Sequence, residues 1–133
     1  ALTVAQVLQK SSNIGTAKMG LALPSETLWK LFSGVGFGTP PRSGFPGEVS
    51  GRLRAHKSWL PIEQATMSYG YGISVSLLQL ARAYTIFAGD GELKPITLVK
   101  RDGAAEGVPL ISPETARELR RMLELAVGPG GTA

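Results

Sequence analysis

Apolar residues recur at helical spacing in several stretches of this chain, separated by runs in which glycine and proline erase any period. Thr3 and Gln6 have the spacing of a capping box, and Val4, Val7 and Leu8 share one face of the helix it would open. The pattern predicts that this helix stops near Ser11, that a second runs from Ile14 to Leu23, and that a third runs from Ser25 to Phe32. Pro24 divides the last two. Leu28, Leu31 and Phe32 form the core stripe of the third, which Gly34 is placed to end.

From Gly34 to Leu60 the periodicity dissolves in GVGFGTPPRSGFPGEVSGRLRAHKSW. A compact domain seldom carries so long a stretch without regular structure unless the stretch is functional or disordered. Pro61 to Tyr69 then predicts a short helix feeding SYGYG. In SVSLLQLARAYTIFAG, residues Leu77, Leu78, Leu80, Ala81, Tyr84, Ile86, Phe87 and Ala88 cover nearly the whole circumference, so burial on most sides is expected. Gly89-Asp90-Gly91 ends that helix, and PITLVKRDG reads as a strand closing in an Asp-Gly turn. The last helix is the most clearly marked. Ser112 is its N-cap, Pro113 its first residue and Glu114 an acidic group in the first turn; Leu119, Met122, Leu123 and Ala126 share one face, and Gly128 stops it.

Composition narrows the function classes. At 133 residues, 43% hydrophobic and 18% charged, the chain has the size and balance of one globular domain. The net charge of +4 is spread thinly: Lys100-Arg101 and Arg120-Arg121 are the tight basic pairs, and no basic face with interleaved aromatics points to nucleic acid. With no cysteine and one histidine, zinc, iron-sulfur and thiol chemistry lack their ligands, and no cofactor is expected. No apolar run reaches the ~18 residues of a membrane span, so no membrane contact is expected of this segment. The start at Ala1 and the glycine-rich stretch from Gly128 to Ala133 lead us to expect a piece of a longer polypeptide.

Two glycine patterns fail as nucleotide loops. Gly15 and Gly20 have the outer spacing of a phosphate loop, but Leu21 and Ala22 stand where Lys and Ser or Thr are required; Gly34, Gly36 and Gly38 lack the spacing of a dinucleotide turn. His56 has no carboxylate or nucleophile near it in sequence and reads as a solvated loop histidine.

Ser11-Ser12-Asn13 carries more. Serine and asparagine favour helix starts, so the triplet reads as a cap; it also has the Ser-x-Asn form of a catalytic motif, and one segment can serve both ends. Serine acyl-transferases that bind penicillin combine Ser-x-x-Lys, Ser-x-Asn or Ser-Asp-Asn, and Lys-Ser/Thr-Gly. Taken with RSGFPGE at Arg42 to Glu48 and ATMSYGYGISVSLLQLARAYTIFAGDGE at Ala65 to Glu92, the triplet resembles the transpeptidase domain of class B penicillin-binding proteins over essentially the entire chain. The likeness is nearest to the division-specific members in Gram-negative bacteria, which crosslink septal peptidoglycan.

That resemblance implies a fold class that is mainly α: the helical lobe of the α+β transpeptidase fold, with a long Gly/Pro loop and one or two short strands. It implies an acyl-enzyme formed when a serine outside this chain attacks a D-Ala-D-Ala stem peptide or a β-lactam. Ser11 would match the motif serine that passes a proton to the departing nitrogen, and Asn13 would direct its amide at the ligand's side-chain carbonyl. Ser12 receives no chemistry. Tyr69, Gly70 and Tyr71 would line the cleft, glycine admitting close approach and tyrosine giving a flat wall with a polar tip, or would form an ordinary turn with two partly buried rings.

The other two motifs are missing. No serine has a lysine three residues on; Thr27 with Lys30, and Arg42-Ser43-Gly44, only imitate the required patterns, and the terminal GGTA lacks the lysine of the third. Residues 1–133 are therefore expected to be the part of the domain between the nucleophile motif and the third motif, inactive alone. The remainder of the domain and division proteins are the implied partners, and the periplasmic face of the inner membrane the implied location. A competing reading is a scaffold that binds division partners through the 34–60 loop, with Phe37, Phe45 and Leu53 as its apolar surface.

Overall fold

The computed structural model describes residues 1–100, 102–103 and 105–133. Six α-helices and one two-stranded sheet are found among them. Helix α1, Val4–Gln9, opens with the expected box: the Thr3 hydroxyl accepts from the Gln6 amide, and the Gln6 side chain accepts from the Thr3 amide at 2.9 Å. Helices α2, Asn13–Leu21, and α3, Ser25–Gly34, follow on either side of Pro24. Helix α4, Pro61–Met67, has proline at its first position, and the Glu63 carboxylate accepts from the Leu60 amide at 2.8 Å.

Helix α5, Leu77–Ala88, is opened by a second capping box, between Ser76 and Gln79. Strands β1, Glu92–Leu93, and β2, Val108–Pro109, pair antiparallel, with Glu92 opposite Pro109 and Leu93 opposite Val108. Helix α6, Pro113–Val127, starts as its sequence requires, with the Ser112 hydroxyl accepting from the Thr115 amide at 3.1 Å.

The buried core joins Val35 and Phe37, just beyond α3, to Ala83 and Ile86 of α5 and Leu93 of β1. Phe32, Leu53, Val75 and Ile111 pack around it. A second contact layer sets α2 on α4, where Gly20 permits close approach: a Cβ there would lie 2.5 Å from the Ser68 Cβ. Gln64 strengthens this join by donating to the Gly20 and Leu23 carbonyls at 2.8 and 2.7 Å, which satisfies backbone acceptors at the end of α2. Helix α1 lies against α6, so the two ends of the chain meet.

The long loop is held in place by side chains. Gln79, 1% exposed, donates through Nε2 to the carbonyls of Thr39 and Ser50 at 2.8 Å and of Gly36 at 3.2 Å, while its Oε1 accepts from the Ser76 amide at 2.7 Å. A buried amide without such partners would be strongly unfavourable, so the loop and the glutamine fix each other. Farther along, the Glu48 carboxylate accepts from the amides of Arg42 and Ser43 and from the Ser43 hydroxyl. That hydroxyl, first among these contacts, holds Glu48 below the usual carboxylate range. Arg54 pairs with Glu63, tying the loop to α4.

Four expectations are corrected. The stretch 95–100 forms no strand; a strand needs a paired neighbour, and the pairing is made by β1 and β2 on either side, leaving Leu98 and Val99 exposed. Arg101, in that stretch and in the Lys100-Arg101 pair, lies outside the described residues. Helix α5 buries only Gln79, Ala83 and Ile86, and Leu77 is 82% and Tyr84 55% exposed, because one face alone meets α6, β1 and the loop. His56 is half-buried, its ring 5.7 Å from Trp29. Phe37 belongs to the core and Leu53 packs on it, which leaves Phe45 as the exposed member of the apolar trio.

No helix among the described residues is long and apolar enough to cross a membrane, and no cluster of three metal-ligating side chains is found among them.

Candidate active site at the junction of α1 and α2

Helix α1 ends at Lys10, and the chain turns sharply through Ser11, whose φ of 48° lies in the left-handed region. Few residues other than glycine sit there, and the turn places the next residue directly at the head of α2. Ser12 is that residue, and its hydroxyl accepts from the Gly15 amide at 3.1 Å. The cap of this helix is thus the middle member of the triplet.

The division of labour matters for chemistry. Because Ser12 satisfies the helix start, the side chains of Ser11 and Asn13 are free of that duty, and both residues are exposed. Asn13 is the first residue of α2, and its carboxamide makes no hydrogen bond among the described residues. The Ser11 hydroxyl lies 2.5 Å from the Thr132 hydroxyl, a contact across 121 positions of sequence. An apolar cleft between α1 and α2 is lined by Leu2, Val4, Ser12, Ile14 and Met19, so Ser12 faces it while Ser11 and Asn13 do not.

The tail after α6 builds the other wall of the junction. Lys10 donates from Nζ to the Gly130 carbonyl at 2.7 Å, and Gln9 from Nε2 to the Pro129 carbonyl at 3.4 Å. Gly131 lies so close to α6 that a Cβ would sit 2.0 Å from the Ala126 carbonyl oxygen, and the Ala133 amide donates to the same oxygen at 3.0 Å. Sequence reasoning passed over Lys10 and Thr132. Nothing local marks either one, since their partners stand more than a hundred residues away.

Tyr69, Gly70 and Tyr71 form the turn after α4. Gly70 has a φ of 93°, and the rings are 41% and 72% exposed. Helix α4 packs on α2, so this turn and the triplet belong to neighbouring elements, yet no hydrogen bond among the described residues links them.

The penicillin-binding protein transpeptidase domain matches this chain over residues 1–133. The chain belongs to that family. Among its relatives is the "Probable peptidoglycan D,D-transpeptidase PenA" of Neisseria meningitidis, 46% identical over 132 residues that cover 99% of this chain and 23% of the relative. The "Peptidoglycan D,D-transpeptidase FtsI" of Escherichia coli is 39% identical over 130 residues, covering 98% of this chain and 22% of that protein. The chain therefore spans about a quarter of the length of these curated relatives. In solved structures, the transpeptidase domain of Burkholderia pseudomallei penicillin-binding protein 3 superposes with a TM-score of 0.93 at 55% identity, over 98% of this chain and 40% of that one. A Burkholderia ambifaria protein described as a peptidoglycan glycosyltransferase reaches 0.95 at 54% identity, over 98% of this chain and 42% of that one. The mainly helical lobe expected from the sequence is the architecture observed, and it is part of the penicillin-binding transpeptidase fold.

Proposed function

We propose that this chain is the segment of a peptidoglycan D,D-transpeptidase between its nucleophile motif and its Lys-Ser/Thr-Gly motif, acting in septal wall crosslinking at the periplasmic face of the inner membrane. One observation carries the reading: with Ser12 committed to the cap, the hydroxyl of Ser11 and the carboxamide of Asn13 stand exposed on either side of it. The transpeptidase relatives support the reaction class.

In this reading a serine elsewhere in the domain attacks the carbonyl of a D-Ala-D-Ala stem peptide or a β-lactam, and the leaving nitrogen must gain a proton. Ser11 passes it, since a hydroxyl both accepts and donates. Asn13 donates its amide hydrogens to the ligand's side-chain carbonyl and holds the ligand in register. Tyr69, Gly70 and Tyr71 border the substrate cleft that the rest of the domain completes. The exposed stripe Leu77, Leu80 and Tyr84 on α5 is covered by that remainder, since a helix apolar on all sides is one meant to be enclosed. Division proteins are further partners of the whole enzyme.

The isolated chain is expected to form no covalent adduct with a fluorescent penicillin, while the intact transpeptidase forms one. Gel fluorescence and intact mass check this, and labelling of the isolated chain would refute it.

A second reading rests on Phe45, 66% exposed at the tip of a loop that Glu48 pins: the loop binds division proteins without sharing in catalysis. Shortening residues 42–48 in the intact enzyme separates the two. Loss of partner binding with normal acylation favours the scaffold, and loss of acylation favours a loop that shapes the cleft.

A further inference from the structure

We propose that Thr132 and Lys10 are positioning residues that hold the Ser11 hydroxyl in its working orientation, an inference that rests on Ser11 being the proton-passing group. An exposed serine hydroxyl in water rotates among many partners, and its hydrogen has no fixed direction. Here a single partner is supplied at 2.5 Å by Thr132.

Either hydroxyl can be the donor in this contact. The Thr132 oxygen also lies 3.5 Å from the Gln9 carbonyl, a second contact that places it beside Ser11. Where Thr132 donates, the Ser11 hydrogen stays free to be passed to the departing nitrogen while a second lone pair on its oxygen receives the replacement proton.

Thr132 can do this only if the tail is held still, and it is fastened on both sides. Toward α1, the Lys10 ammonium donates to the Gly130 carbonyl at 2.7 Å, a charge-assisted bond of the stronger kind. Toward α6, Gly131 fits against the Ala126 carbonyl where no side chain would, and the Ala133 amide bonds the same oxygen. Lys10 precedes Ser11 directly, so one short stretch both carries the hydroxyl and grips the segment that orients it. The backbone of Ser11, with its φ of 48°, aims the side chain into this contact.

The test uses an intact transpeptidase that contains this segment, with a fluorescent penicillin as probe and the maximal acylation rate read separately from the half-saturating concentration. Thr132→Val is expected to lower the maximal rate about tenfold with half-saturation unchanged, the scale of one well-placed neutral hydrogen bond. Thr132→Ser, which keeps the hydroxyl, restores the rate. Lys10→Met lowers it in the same way and Lys10→Arg recovers most of it. Added to Ser11→Ala, the Thr132→Val change has no further effect, because its target is already gone.

Three outcomes overturn the proposal, and they are distinguishable. A normal rate for Thr132→Val beside an impaired Ser11→Ala removes the positioning role and leaves the role of Ser11 standing. A further loss when Thr132→Val is added to Ser11→Ala means that the threonine acts through the fold. A normal rate for Ser11→Ala itself removes the assignment of Ser11, and the positioning role with it.

Discussion

Replacing Ser11 by alanine in an intact transpeptidase is expected to cut acylation by a penicillin by ~10² or more, because positioned proton-transfer groups contribute 10² to 10⁴ in rate. The structure makes this substitution clean. Alanine keeps the Cβ, so the left-handed turn at residue 11, with its φ of 48°, carries the same steric strain before and after. Helix α2 keeps its start, since the cap hydroxyl belongs to Ser12. The contrasting control is Ser12→Ala, which removes that cap: about 1 kcal/mol of stability should go, with the acylation rate within a few-fold of normal. Stopped-flow acylation and denaturant unfolding together read both variants. An unchanged rate for Ser11→Ala would leave this serine a turn residue only.

The largest structural effect should come from Gln79. Replacement by leucine keeps most of the volume and removes every polar contact, leaving the carbonyls of Gly36, Thr39 and Ser50 and the Ser76 amide without their partner. Each buried group so orphaned costs about 1 to 3 kcal/mol, and some recover water, so a loss of about 3 to 5 kcal/mol is expected. The measurement is urea unfolding of the intact enzyme, with a lower midpoint at an unchanged slope. Gln79→Glu should be no milder, since it would turn a carboxylate oxygen toward carbonyl oxygens in place of the amide donor. A midpoint within a few tenths molar of the parent would mean that the loop is held by its apolar contacts alone.

What the sequence disclosed, and what it did not, divides along a physical line. Helix starts set by contacts within one turn were legible: Thr3 with Gln6 and Ser112 with Pro113 each form the structure that their spacing dictates. The Ser-x-Asn form of the triplet was equally plain, because it is written in adjacent residues. Features that depend on distant partners were not. The run PITLVK at residues 95–100 read as a strand, yet pairing needs a neighbour, and the pairing is made by residues 92–93 and 108–109. The apolar circumference of α5 described a helix fit for burial on several sides, but not how many of those sides this chain covers. Gln79 reads as an ordinary polar residue within LLQLARAY, and only folding reveals that three separate points of the 34–60 loop converge on its amide. Thr132 in the glycine-rich tail is the same case at longer range.

The meeting of α1 with α6 has a consequence in time. Contacts from Gln9, Lys10 and Ser11 to the tail close a loop of 120 to 121 residues. Bringing such ends together carries an entropy penalty of about 4 kcal/mol, which a six-residue helix with a few hydrogen bonds does not overcome unaided. During synthesis at about 5 to 20 residues per second, α1 leaves the ribosome roughly 6 to 24 s before its partner exists. The turn that carries Ser11 is therefore made first and locked last, and until then nascent chains hold this corner unfinished.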